Sequence, residues 1–150
     1  YLDETTMRIC YSHRRLFAQL AKELVKQGDN ARAQKVLAYA EQAIPAYNVP
    51  QVYESGSYEI AVAYASTGDK AKATSLLNHL IAESEDYINW AFSLGVNRIE
   101  MVQRDCMYKF WQWNQCNELL KNTDEELYKQ SDQRFEQKYT AFTQLMKSKN

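Results

Sequence analysis

The sequence predicts an all-α fold, an α-α superhelix of about seven helices closed by an irregular C-terminal cap. Three observations predict it. Gly and Pro are scarce, with 4 and 2 residues among 150, which suits long helices and leaves few tight turns for strands. A Gly-Asp turn motif recurs at a fixed spacing, the mark of a stacked repeat. The last quarter carries a capping signal followed by a one-sided apolar stripe of helical period.

The repeat sets the order of the first elements. Gly28-Asp29-Asn30-Ala31-Arg32-Ala33 and Gly68-Asp69-Lys70-Ala71-Lys72-Ala73 lie 40 residues apart and share the pattern G-D-x-A-basic-A. The same offset aligns Leu20-Ala21 with Ile60-Ala61, Leu24 with Tyr64, and Leu37 with Leu77. Each position has a physical task. Gly28 and Gly68 end the first helix of a pair in the left-handed conformation that glycine adopts without a Cβ penalty. Asp29 and Asp69 cap the second helix. Ala21, Ala33, Ala61 and Ala73 let paired helices approach closely, and the larger aliphatic residues and Tyr64 fill the space around them. Repeat-like pairs are expected at about 14–45 and 54–85, with C-terminal helices over 86–150, in one helical-repeat domain.

Along residues 14–85 this pattern resembles a tetratricopeptide repeat. The residues that carry the likeness are Phe17-x2-Leu20-Ala21-x2-Leu24, then Gly28-Asp29, Ala33-x3-Leu37, Ala40 and Pro45. Phe17, Ala21 and Leu24 stand where that family favours Trp, Gly and Tyr. In the second copy Ser57 replaces the large aromatic, no Pro closes the unit, and the spacing is 40 where the family's is about 34. The extra residues fall in Tyr47-Asn48-Val49-Pro50-Gln51-Val52, an expected inter-repeat loop. The resemblance implies a solenoid whose first helices line a concave surface that receives extended partners.

Outside the repeat, a first helix is expected over about 4–27, with Asp3 as its N-cap. A short helix is expected from Ser84 to about Leu94, ended by Gly95, and an aromatic-rich one from about Arg98 to Lys121. Thr123-Asp124-Glu125-Glu126 reads as a capping box with Thr123 as N-cap and Glu126 reaching back. It opens a helix on which Tyr128, Phe135, Tyr139, Phe142 and Met146 share one face.

A second likeness concerns the whole chain. Tyr11-Ser12-His13-Arg14-Arg15, the Pro45–Pro50 loop and the repeat layout are similar to the soluble C-terminal region of bacterial multi-pass membrane proteins related to protein O-mannosyltransferases. That likeness implies a periplasmic tail beside a membrane glycosyltransferase-like portion, with no catalytic residue carried onto this chain. The start at Tyr1, with no initiator Met or signal peptide, fits a piece of a longer protein.

Composition narrows the functional classes. Net charge is −1, and successive fifty-residue thirds carry +2, −4 and +1 from Asp, Glu, Lys and Arg. A nucleic-acid binder would concentrate its cations on one face. No apolar run approaches the roughly 20 residues that cross a bilayer. Cys10, Cys106 and Cys116 are an odd set. On one helix Cys106 and Cys116 would lie about 15 Å apart, too far for a disulfide; either Cys10 pairs with one of them through a tertiary contact, or all three are reduced, buried small hydrophobes. His13 and His79 form no metal-ligand spacing, and no nucleophile elbow, phosphate loop or C-x-x-C is present. The expectation is a non-catalytic chain without cofactor or metal, whose partner is a protein, a peptide, the parent membrane domain or a glycan.

Candidate partner-binding residues follow from these readings. Tyr11, Arg15, Tyr58 and Tyr64 are expected to share a groove on the first helices, although each tyrosine also suits a core. Arg8, His13, Arg14 and Arg15 read either as a clamp for an anion or as solvated charges with local salt bridges. Tyr108-Lys109-Phe110-Trp111-Gln112-Trp113 puts rings on more than one side of a helix. Trp111 and Trp113 are therefore candidates for a partner, an oligomer contact or sugar stacking, against the alternative that both pack between helices.

Overall fold

A computed structural model of the chain describes residues 2–148. Among the described residues the secondary structure is helical throughout, in six α-helices. These are α1 (Glu4–Lys26), α2 (Asn30–Ala43), α3 (Ser57–Thr67), α4 (Lys70–Ser93), α5 (Gln103–Thr123) and α6 (Glu125–Lys147), with 3-10 turns at Tyr53–Ser55 and Ile99–Val102. The chain gathers into two compact units that divide at Leu80/Ile81, within α4.

In the first unit both Gly-Asp turns have the expected form. Gly28 and Gly68 sit at φ +80° and +85°. Asp29 N–H reaches Leu24 O at 2.9 Å and Asp69 N–H reaches Tyr64 O at 3.1 Å, the six-to-one bond of a Schellman ending. Asp29 Oδ1 then accepts from Arg32 N–H at 3.0 Å, and Asp69 Oδ1 from Lys72 N–H at 3.2 Å. Asp3 caps α1 in the same way, through Thr6 N–H at 2.9 Å. Ala18, Ala21, Ala33, Ala40, Ala61 and Ala73 are all buried. Small side chains at these positions let α1 meet α2 and α3 closely, and Leu37 and Leu77 fill the remaining volume.

The second unit is built around rings. Phe110 of α5 meets Phe135, Tyr139 and Phe142 of α6 with centroids 5.7, 5.2 and 5.5 Å away. Trp113 packs edge-on to Phe135 at 5.6 Å. Its buried indole N–H donates to Ser131 Oγ at 2.8 Å, and Ser131 donates in turn to Asn117 Oδ1 at 2.6 Å. Burial pushes the Cys116 thiol up to about 12, and Cys10, Cys106 and Cys116 are all free thiols.

Three expected boundaries are corrected. Ser84–Leu94 is not a separate helix but the second half of α4. Nothing between Lys70 and Ser93 breaks the backbone, and Ser84 itself is buried on the packed face. The merger reduces the expected seven helices to six. The aromatic helix begins at Gln103, after a 3-10 turn, and not at Arg98. The cap of α6 is Asp124, one residue later than expected. Thr123 is still helical in α5, and Asp124 accepts from Leu127 N–H at 3.1 Å. Glu126 does not reach back; its carboxylate accepts from Gln130 at 3.1 Å.

Candidate functional site

Two features of the first unit organise its surface: a buried arginine and a groove beside it. Arg14 lies on the inner stripe of α1, one turn before Ala18 and two before Ala21, and only 4% of it is exposed. Its guanidinium donates to Pro50 O at 2.8 Å, Ser55 Oγ at 3.0 Å, Ile44 O at 3.3 Å and Val49 O. All four acceptors are neutral oxygens of the loop between α2 and α3. Burial lowers its affinity for the proton, but a guanidinium stays charged in any case. Carbonyl dipoles therefore hold the charge, and the loop is folded around it.

That geometry removes Arg14 from the cluster Arg8, His13, Arg14 and Arg15, which the sequence left open between an anion clamp and solvated charges. All four terminal N–H directions of Arg14 serve the loop, so none is left for an anion. Arg8 pairs with Glu4 in its own helix and is exposed. Neighbouring residues on a helix diverge by about 100°, which sends Arg14 inward while Arg15 stays half-exposed.

The groove runs between α1 and α3. It has a volume of about 450 Å³ and is lined by Arg15, Gln19, Lys22, Tyr58, Glu59 and Val62, among others. Arg15 donates to Glu54 O and lies 3.5 Å from a Glu59 carboxylate oxygen, which orients it along the rim. Tyr58 stacks on Tyr53 with centroids 4.8 Å apart, so its ring is braced from one side. Lys22 makes no ion pair among the described residues, and Lys26 pairs only with Glu23 of its own helix. The walls are mixed: α1 contributes Arg15, Lys22 and Lys26 with Glu23 among them, and α3 contributes Tyr58 and Val62 with Glu59 between.

Of the residues expected to share one groove, Arg15 and Tyr58 come together. Tyr11 is half-buried on α1, with its carbonyl against Gly56. Tyr64 is elsewhere. Six residues separate it from Tyr58, a rotation of about 240°. It is buried on the opposite flank of α3, where its hydroxyl donates to Glu41 and Lys72 Nζ stands 5.1 Å over the ring. Burial and the Glu41 carboxylate both push its phenol up.

Trp111 and Trp113 part for the same reason, since residues two apart on a helix face away from each other. Trp113 belongs to the core of the second unit. Trp111 is 47% exposed and lies nearly parallel to Tyr108, with centroids 5.6 Å apart and an interplanar angle of 10°. Gln19, Lys22 and Lys26 were not anticipated as groove residues. Their spacing from Arg15, at four, seven and eleven residues, is a single helix face and was readable from the helical period alone.

No group of three or more His, Cys, Asp or Glu side chains is placed to hold a metal among the described residues. No helix there is long and apolar enough to cross a membrane. The two stretches that carry the whole-chain likeness, Tyr11–Arg15 and Pro45–Pro50, prove to be one feature, because Arg14 grips that loop. Compared with known proteins, the chain has no significant match to a family model, a curated protein or a solved structure.

Proposed function

We propose that this chain is a non-catalytic protein-interaction or scaffolding module, a tetratricopeptide-like stack of helix pairs forming a right-handed α-α superhelix. The observation that carries the reading is the α1/α3 groove, about 450 Å³ in volume and lined by Arg15, Lys22 and Tyr58. Its composition suits an extended peptide with acidic and aromatic side chains, with the cations of α1 steering the acids and the braced Tyr58 ring taking an apolar group. The twin Gly-Asp turns support the repeat assignment. The likeness of Tyr11–Arg15 and the Pro45–Pro50 loop to mannosyltransferase-related membrane proteins supports reading the module as a periplasmic tail that acts on the parent membrane portion or on a protein beside it.

Peptide display against the intact chain tests this reading. Selected peptides are expected to be enriched in Asp and Glu and to lose about tenfold or more in affinity on Tyr58→Ala or Lys22→Glu. If no peptide is enriched, or if binding ignores both substitutions, the groove is not a binding site.

The parallel Tyr108 and Trp111 rings favour a second reading, a carbohydrate- or glycolipid-binding accessory domain. Flat, exposed ring faces suit the C–H faces of a pyranose. Quenching of Trp111 fluorescence by a mannose oligomer, lost in Tyr108→Ala, is the expected sign; an unchanged spectrum across neutral glycans excludes it.

A further inference from the structure

The two helix pairs share a register, and that register exposes a difference between them. On the outer side of α1 and α2, a shallow cleft of about 410 Å³ is lined by Phe17, Leu20, Arg32, Lys35, Val36 and Tyr39, with Leu24 at its floor. Forty residues on, the equivalent positions are Ser57, Ile60, Lys72, Ser75, Leu76 and His79, with Tyr64 for Leu24. In the second pair this side is covered. The end of α2 lies against it, so that Ala40, Glu41 and Ile44 line the same crevice as Ser57, Ile60 and Leu76. Ile60 is accordingly 6% exposed where Leu20 is 48% exposed, and Leu76 is buried where Val36 is half-buried, while His79, in the place of the exposed Tyr39, lies beyond the cover and stays exposed.

The cover on the second pair has a definite chemistry. It is a helix, and it presents small and aliphatic residues flanked by one carboxylate. Glu41 of that helix takes Lys72 Nζ at 3.1 Å and the Tyr64 hydroxyl. Arg32 stands in the place of Lys72, and Lys35 lies one turn further along the rim. Among the described residues Arg32 reaches only Asp29 of its own turn, and Lys35 makes no ion pair. The face is thus apolar at the centre and cationic at one edge.

We propose that the outer face of α1 and α2 docks an amphipathic α-helix of a partner protein. The apolar stripe of that helix seats on Phe17, Leu20, Val36 and Tyr39, with its acidic edge against Arg32 and Lys35. The helix repeats on the first pair what the end of α2 does on the second. Apolar burial supplies the affinity, and the charged rim sets orientation and excludes basic helices. This surface is separate from the α1/α3 groove, and the two bind independently.

The test uses the intact chain and three fluorescent 18-residue peptides. The first has a Leu/Ala stripe with Glu along one edge, the second the same stripe with Lys there, and the third is the first broken by two prolines. Anisotropy titration is expected to give the Glu-edged helix at least a tenfold advantage over both others. Leu20→Glu, at a half-exposed position that leaves the circular dichroism unchanged, is expected to abolish binding. The Arg32→Glu/Lys35→Glu chain is expected to reverse the preference toward the Lys-edged helix. Tyr58→Ala and Lys22→Glu leave this binding intact even if groove binding fails. The proposal is overturned by equal binding of the Glu- and Lys-edged helices, by binding that survives Leu20→Glu, or by a dimer in sedimentation that Leu20→Glu dissolves. That last result would make the occupant a second copy of the chain.

Discussion

In the first unit helices meet through alanines and turn through glycines, and a loop is wrapped around a charged side chain. In the second they meet through rings: Phe110 contacts Phe135, Tyr139 and Phe142, and Trp113 is tied to Ser131. Alanine-lined contacts bring backbones close but fill little volume, so that unit depends on exact turn geometry and on Arg14. Ring-lined contacts bury large areas and rely less on any one backbone angle. The difference teaches where each half is vulnerable. The first should fail at its glycines and its arginine, the second at its large side chains.

The sharpest test of that contrast is Trp113→Ala. Removing a fully buried indole and its bond to Ser131 should destabilise by about 4 kcal/mol. Amide exchange should accelerate in α5 and α6 and stay unchanged in α1 to α3. Acceleration in α1 to α3 as well would break the comparison. Arg14→Met comes next, at about 3 kcal/mol, because the carbonyls of Ile44, Val49 and Pro50 lose their donor while buried. Its signature is the reverse, faster exchange in the 44–55 loop with α5 and α6 unaffected.

The glycines order themselves by surroundings. Gly56, Gly28 and Gly68 share nearly the same positive φ. A Cβ on Gly56 would stand 2.9 Å from Arg14 Cβ and 3.0 Å from Tyr11 O, whereas one on Gly28 or Gly68 would meet nothing within 4 Å. Gly56→Ala should therefore cost about 2 to 3 kcal/mol, and Gly28→Ala about 1, the backbone penalty alone. Equal losses in urea unfolding would show that the Arg14 contact is soft.

The smallest effect is electrostatic. The Arg32 guanidinium and amide hold the Asp29 carboxyl below its ordinary 3.8. Its folded pKa is thus lower than its unfolded one, so its stabilisation of α2 is present above about pH 4 and lost as pH falls through the folded value. The Arg32 amide proton shift should titrate with a midpoint below 3.8 and stay flat in Asp29→Asn. A midpoint at or above 3.8 would remove Asp29 from the cap.

Much of this was legible in the residues. Local chemistry announces itself locally: Gly28, Asp29, Gly68 and Asp69 needed no partner to be read as turn and cap, and Asp3 likewise. Local rules place even the last cap to within one residue, Asp124 standing where they point to Thr123. The site was less legible. Arg15 and Tyr58 lie on one groove, whereas Tyr64 and Trp113, which the sequence offers to a binding surface or a core alike, are both buried. Gly56, whose left-handed turn seats α3 against Arg14, has no counterpart forty residues away to mark it in the sequence.

The amino-acid order alone determined that the chain is helical, where its paired helices reverse, and which residues cap them, since such features depend on neighbours within four or five positions. Only the tertiary structure decided that Arg14 is the anchor of a distant loop and not an anion clamp. It alone separated a buried Trp113 from an exposed Trp111 as members of different surfaces, and left the outer face of α1 and α2 open while covering its counterpart. The reason is physical: burial depends on which helix arrives from thirty or forty residues away, and the face that receives it carries no local record of whether it came.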